Sequence, residues 1–270
     1  MAPGARPLSR ICSSADWTDA DFLARMQAVV PSQLGAHRKA WEFAAALEVL
    51  ETTEVLNEEA IGLSVAAGHE ALVFYLANRC RWMFAVDIYG EGPFGSREGS
   101  AAMLVDPDVF APYPYRRRRL TVAHMDALDL RFEDATFDFV VSLGSIEHFG
   151  GREAAREALV EMARVLRPGG TACVCTEVTV DGGSDGHAPG LELFSPASAR
   201  GLGESVEGLD WAGEVDFSEP PEGVPVLALE REVLGRAIGT LGYPHIRLGI
   251  DVPDQGWREF TSACLALRRV

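Results

Sequence analysis

Asp126–Glu177 reads DALDLRFEDATFDFVVSLGSIEHFGGREAAREALVEMARVLRPGGTACVCTE, and this stretch decides the fold. Two short apolar runs, Phe137 to Leu143 and Thr171 to Val178, have the length and β-branched content of buried strands. Between them, Ala154, Ala158, Leu159, Met162, Val165 and Leu166 recur at helical spacing, which predicts one helix from about Arg152 to Leu166 with a sheet-facing stripe. Pro168 cannot continue that helix, and Gly169-Gly170 supply the left-handed turn into the next strand. The unit is β–α–β, which implies a parallel sheet.

The pattern FDFVVSLGSIEH followed by LVEMARVLRPGGTACV closely resembles the second half of the Rossmann-like, S-adenosylmethionine-dependent (class I) methyltransferases of small-molecule type. The resemblance covers roughly Ile61 to Glu177. It implies an α/β fold with a seven-stranded, mostly parallel sheet, an antiparallel last strand, helices on both faces and an N-terminal helical cap. Residues 1–55 are expected to form that arm or cap and 56–270 the cofactor-binding domain. It also implies S-adenosylmethionine as cofactor and S-adenosylhomocysteine as product.

Composition narrows the partners. A net charge of −16 argues against a nucleic-acid surface, since phosphate backbones need clustered cations. No run approaches the ~18 apolar residues of a membrane-spanning helix, and the N-terminus lacks a signal-peptide core, so a cytoplasmic protein without a membrane partner is expected. Cys12, Cys80, Cys173, Cys175 and Cys264 are scattered, with no second pair at zinc spacing, and read as reduced buried thiols; no metal site is expected. A homodimer is left open.

Upstream, DWTDADFLARMQAVV reads as a helix capped by Thr18 or Asp19, and a second helix is expected from about Gly35 to Glu51. In the resembled fold such helices lie over the mouth of the site, so Trp41, with Arg38, Lys39 and Glu42 beside it, is either a substrate-lining aromatic or a core one. IGLSVAAGHEALVFYLANRCRWMFAVDIYG then has the strand–loop–helix–strand order of a nucleotide-binding unit, whose loop needs small residues for close backbone approach. The family pattern is acidic-x-Gly-x-Gly-x-Gly. Here Gly62, Ser64, Ala66 and Gly68 stand at those positions, so three of four depart. Glu70, just inside the helix, is a candidate replacement for the missing carboxylate, or simply complements the helix dipole.

Asp87 ends the next strand, 19 residues after Gly68, where a carboxylate can accept from both ribose hydroxyls. Ile88 would flank the adenine, as would Tyr89, which is also a substrate-binding candidate. A long insertion rich in Gly, Pro and aromatics follows, ending in Arg116 to Arg119, whose cations pair with the acidic surface or meet a substrate anion. Leu120 to His124 is the third strand. The resemblance assigns Asp126 and Ala127 to the adenine, Ser142 and Leu143 to the cofactor's other end, and Asp138 to the framework.

Chemistry is expected after the fourth strand, at Ser142 to Phe149. Methyl transfer to a hydroxyl or amine needs a base, and histidine titrates near the working pH. His148 is the candidate base; Glu147 orients it or binds substrate. His187 and Glu192, in the loop-like stretch beyond Glu177, are candidates to face the acceptor. A helix from about Ser195 and strands at 224–229, 245–250 and 260–267 complete the chain, the last antiparallel. The expected function is methyl transfer to a small molecule such as a sugar, amino sugar or other specialised metabolite. A catalytically degenerate cofactor-binding partner protein stays open because of Gly62, Ser64 and Ala66. A nicotinamide-dependent oxidoreductase stays open more remotely, lacking GxGxxG.

Overall fold

The computed structural model describes residues 6–31, 37–218, 222–229 and 245–270. In chain order the elements are β1 (Ser9–Ile11), α1 (Ala20–Val29), α2 (Arg38–Thr52), β2 (Ile61–Val65), α3 (Ala71–Ala77), β3 (Trp82–Asp87) and α4 (Ala102–Val105). Next come β4 (Leu120–His124), β5 (Phe137–Leu143), α5 (Arg152–Val165), β6 (Leu166–Thr179), β7 (Gly186–Ala188), β8 (Leu191–Leu193) and α6 (Pro196–Glu204). The chain closes with β9 (Leu209–Trp211), β10 (Val215–Asp216), β11 (Leu227–Ala228), β12 (Leu248–Val252) and β13 (Gly256–Arg269).

The expected βαβ unit is present. Helix α5 buries Ala155, Ala158, Leu159, Met162, Ala163 and Val165, so Ala155 rather than Ala154 carries the first turn of the stripe. Strand β6 starts immediately at Leu166 and takes the Pro-Gly-Gly run into its own first residues, with Gly169 at φ +82°. Asp138 serves the framework as expected. Its carboxylate accepts the Ile61 amide at 2.7 Å and the Arg167 guanidinium at 2.7 Å, tying β5 to the start of β2 and to the α5–β6 turn.

The sheet runs β10-β1-β13-β6-β5-β2-β3-β4. From β4 to β6 every pairing is parallel, and β13 is antiparallel to β6 from Phe260 to Arg268. This is the Rossmann-like methyltransferase arrangement, with more strands than the seven expected. The extra ones lie on the outer edge of the long strand β13, which β12, β1 and β9 share end to end. A long bare edge strand invites pairing with other chains, and three short strands cover it.

Apolar layers fill both faces of the sheet. Helices α1, α2 and α3 cover one, with Phe22, Trp41, Leu47, Leu50, Phe74 and Phe139 fully or almost fully buried. Helices α5 and α6 cover the other. The N-terminal residues expected to form a cap contribute β1 to the sheet, and α2 lies on β5, β6 and β13. Helix α1 begins at Ala20 with Asp19 accepting the Phe22 amide at 2.7 Å, after a short 3-10 turn at Ser14–Thr18. Helix α2 is capped by His37, whose Nδ1 accepts the Lys39 amide at 3.1 Å; Gly35, its expected start, lies outside the described residues. Among the described residues no helix is long and apolar enough to cross a membrane.

Candidate functional site

The carboxyl ends of β2, β3 and β5 converge at one edge, where open α/β sheets hold their ligands. The β2–α3 loop turns there through Ala66 at φ +51° and Gly68 at φ +48°. Gly68 is required at its position. A Cβ on it would meet the Glu98 carbonyl oxygen at 2.6 Å, because the insertion after β3 folds back over this loop. Ser145 donates from Oγ to the Ala66 carbonyl at 3.2 Å, which fastens the loop to the end of β5.

Asp87 stands where expected, at the end of β3 and half-buried. Its Oδ2 accepts the Gly68 amide at 2.8 Å, and the Ile88 amide also bonds the carboxylate. Burial pushes its pKa up, against those two amides. A carboxylate offers about four acceptor sites, so two remain for hydroxyls. Ile88 is exposed beside it. Tyr89 is buried and donates to the Gly68 carbonyl at 2.8 Å, so it braces the loop from behind instead of meeting a substrate. Asp126 is exposed and closes a turn onto the Leu128 amide at 2.9 Å, and Ala127 is buried next to it.

The departures from the family pattern have physical causes. Gly62 lies inside β2, and a Cβ there would fall 2.1 Å from the Phe139 ring, which occupies the space. The expectation that Gly62 touches the cofactor is corrected: it is a packing glycine under Phe139, and a carboxylate at that position has no room. Gly62→Asp should destabilise the fold by more than about 3 kcal/mol, combining overpacking with an unpaired buried charge. Urea unfolding checks this; a variant within about 1 kcal/mol of the parent would contradict it. Ser64, also in β2, is buried between Ala85 and Val141.

The first turn of α2 brings charge to this edge. Lys39 extends its ammonium to the Leu143 carbonyl at 2.8 Å, Glu42 at 2.7 Å and Glu70 at 3.1 Å, using all three of its protons. Glu70 was expected to meet the cofactor's amino group, but here its carboxylate is paired with the chain's own cation. Burial pushes Glu70 up to about 7, and Lys39 pulls the other way. A Cβ on Gly144, at φ +60°, would meet Lys39 Nζ at 2.8 Å and Glu42 Oε2 at 3.2 Å. Arg38 joins Glu42 at 3.0 Å and also pairs with Glu177, and Ser262 donates to Glu42.

Trp41 is corrected too. It is fully buried, its Nε1 donates to Asp16 at 2.6 Å, and Arg10 lies over its ring at 5.6 Å, so it is the core aromatic of the two readings. The polar neighbours flanking it are what reach the site. Alternation on the helix concealed this, because Lys39, Glu42 and Arg38 looked like a solvated face. The Arg116–Arg119 run pairs with acids: Arg116 and Arg119 with Glu58, and Arg117 with Asp106.

After β5 the chain enters a short 3-10 turn, Ile146–His148. Ser142 is buried and its Oγ has no hydrogen-bond partner among the described residues. Glu147 is buried as well. Its Oε2 accepts from Thr176 at 3.0 Å, and its Oε1 has no hydrogen-bond partner among the described residues. Burial, then the neighbouring Glu177 charge, push Glu147 up to about 8. His148 is half-buried. Its Nδ1 lies 2.6 Å from the Gly190 carbonyl, and its ring packs on Phe94 of the insertion at 4.8 Å. His187 sits on the β7–β8 hairpin, exposed, with Nδ1 2.8 Å from Glu192.

The raised Glu147 pKa has a consequence for stability. Between about pH 4.5 and pH 8 the folded chain keeps a proton on Glu147 that the unfolded chain has lost. Stability through this group therefore falls as pH rises across that window. Glu147→Gln removes the effect, so its melting temperature relative to the parent should climb with pH. Parallel pH–Tm curves for the two proteins would contradict the assignment.

Residues 63–174 match the methyltransferase domain family. The chain is 47% identical over 55 residues to the probable tRNA methyltransferase 9B of Mus musculus, a stretch that is 20% of this chain and 12% of that protein. It is 27% identical over 157 residues to the demethylmenaquinone methyltransferase of Corynebacterium kroppenstedtii, covering 56% of this chain and 58% of that one. The matches span less than two thirds of either relative. Among solved structures, the YcgJ protein of Bacillus subtilis superposes with a TM-score of 0.50 at 14% identity, over 83% of this chain and 97% of that one. The (4+2)-cyclase SpnF gives 0.53 at 16% identity, over 97% and 98%. At these identities the two structures show a shared fold.

Proposed function

We propose that this chain, a class I S-adenosylmethionine-dependent methyltransferase by its fold and its domain match over residues 63–174, moves a methyl group from S-adenosylmethionine to a hydroxyl or amine of a small molecule, with His148 as base. One observation carries the reading. The Gly68 loop, Asp87 and the end of β5 meet at the carboxyl edge of the sheet, and His148 follows directly in the turn.

The residues present fit the cofactor. Asp87 keeps acceptor capacity for ribose hydroxyls, and exposed Asp126 with Ala127 stands beyond β4 for the adenine. Ser142 and Leu143, with Glu70 and Lys39, form the other end. S-adenosylmethionine supplies the methyl group on a sulfonium that carries its own leaving group.

The chain's part is alignment and proton removal. A carbonyl oxygen only accepts, so the Gly190 contact puts the neutral ring's proton on Nδ1 and leaves a lone pair on Nε2. That tautomer is the one a base needs. Glu147 shapes the pocket floor beside it, and His187 at the hairpin is a candidate acceptor contact. A small acceptor is supported by the charge of −16, which disfavours a nucleic-acid substrate despite the likeness to tRNA enzymes.

The degenerate-partner reading draws on the occupied Gly62 position and on Lys39 already filling the Glu70 site. Calorimetry with S-adenosylmethionine and then with a nicotinamide dinucleotide separates the readings. Binding of the first, with S-adenosylhomocysteine released on adding small hydroxyl or amine acceptors, is the expected result. No binding at millimolar concentration overturns both the transferase and the degenerate-partner reading, and binding without turnover across acceptors selects the degenerate one.

A further inference from the structure

Sequence spacing separates the cysteines, and the fold reunites three of them. Cys173 and Cys175 point to one face of β6, and the antiparallel register sets Cys264 of β13 directly opposite Cys175. The three sulfurs all lie within 4.8 Å of one another, with Cys173 and Cys264 at 3.5 Å. Each residue is fully buried. The face they share is the one α2 covers, in the same core layer as Ala40 and Ala44.

We propose that Cys173, Cys175 and Cys264 form a binding site for one soft, thiophilic d10 metal ion. Thiolate–metal bonds of about 2.3 Å around a three-coordinate centre put the sulfurs roughly 4 Å apart. The sulfurs here span a comparable range, one pair at 3.5 Å and all within 4.8 Å. Soft thiolate sets select copper(I) or zinc among the common ions. Among the described residues the group holds three ligands, not the four of a closed zinc site, which favours copper(I).

A second observation points the same way. Arg10 opposes Cys264 in the β1–β13 register, and its side chain is only 8% exposed. Its Nε is buried with no hydrogen-bond partner among the described residues. The guanidinium pairs with Glu48 at 2.8 Å and Asp16 at 3.5 Å, and its Nε, on the residue paired with Cys264, keeps a proton of the kind that outer-shell hydrogen bonds to ligating sulfurs use. Cys80 gives the contrast. Its sulfur is engaged with the Leu76 carbonyl at 3.1 Å, as an ordinary buried thiol would be.

Loading breaks three S–H bonds and forms three S–metal bonds. Three protons go to solvent, the ion sheds its previous ligands, and no oxidation state changes. The bound ion clips β6 to β13. Those strands carry Thr176, Glu177 and Ser262 into the ion network beneath α2, so the clip would hold the floor of the site in register.

The full chain, purified with thiols kept reduced from cells supplied with copper or, separately, zinc, is assayed for metal by mass spectrometry and for ligands by X-ray absorption. One copper per chain that survives a chelator, with three sulfurs at about 2.3 Å, is expected. One zinc with three sulfurs and one lighter ligand also supports the site and reassigns the ion. Cys264→Ser and Cys264→Ala should lose the metal, whereas Cys12→Ser and Cys80→Ser retain it. Should the Cys264 variants fail to fold, the parent's absorption spectrum decides. Substoichiometric metal in both arms, metal equally retained by a folded Cys264 variant, or a Cys173–Cys264 disulfide in the reduced preparation overturns the proposal. None of these outcomes depends on methyl transfer.

Discussion

Asp87→Ala is expected to weaken S-adenosylhomocysteine binding by about two orders of magnitude while leaving the protein folded. Hydrogen bonds to a charged group contribute about 1.5–3 kcal/mol each, and 1.4 kcal/mol is tenfold in affinity, so losing the ribose partner alone approaches that size. The same side chain accepts the Gly68 amide at 2.8 Å, so alanine also frees the loop. Asp87→Asn separates the two roles. Its amide oxygen can still accept the Gly68 N–H, but it has one acceptor oxygen instead of two, and about a tenfold loss is expected. A deoxyribose analogue closes the cycle: the parent should discriminate against it, and Asp87→Ala should not. Calorimetric dissociation constants that match between parent and Asp87→Ala would remove Asp87 from the cofactor site.

Some of this edge was readable from residues alone, for reasons that are local. Pro168-Gly169-Gly170 punctuates a chain whatever surrounds it, and Asp87 follows Gly68 at a spacing that one strand–loop–helix–strand unit dictates. The antiparallel last strand and the framework role of Asp138 came from the family resemblance that this punctuation carries. What escaped depends on contacts between distant segments. Nothing near Gly62 announces that Phe139 fills the space above it, 77 residues later in the chain by the neighbouring pair Ile61 and Asp138. Trp41 and Lys39 are two residues apart on one helix, yet the first is core and the second reaches the loop; spacing left Trp41 with both readings and gave Lys39 no partner in the loop. The single lysine of the chain is the cation that meets Glu42, Glu70 and Leu143 at once.

Of the strands on the outer edge, β12 overlaps the strand expected at 245–250, while β1 and β9 were hidden for a related reason. Strand β13 is a 14-residue run, but which short segments cover its edge is settled by three separate pairings with β12, β1 and β9, each only two to five residues long. Segments as short as β1 and β9 carry too little pattern to be read as strands, and they form because a long edge is there to receive them.

His148→Ala should leave the cofactor's dissociation constant within about twofold and lower turnover by about 10²–10⁴, the usual contribution of a positioned base. Two contacts hold the ring, the Gly190 carbonyl at Nδ1 and the face of Phe94, and neither involves Gly68, Asp87 or the β5 end. Binding and chemistry are therefore expected to separate cleanly in this variant. A structural role predicts something different: loss of stability, lowered cofactor affinity, and a pH profile of unchanged shape. A base predicts that the loss falls on kcat alone, with stability and cofactor affinity kept. His148→Gln sharpens the test, because glutamine can donate to the Gly190 carbonyl but brings no titrating lone pair. Rescue of turnover by glutamine would assign His148 to positioning through that contact. Equal loss of turnover in both variants, with cofactor affinity kept, would assign proton removal to Nε2, and unchanged turnover in His148→Ala would take the histidine out of the chemistry.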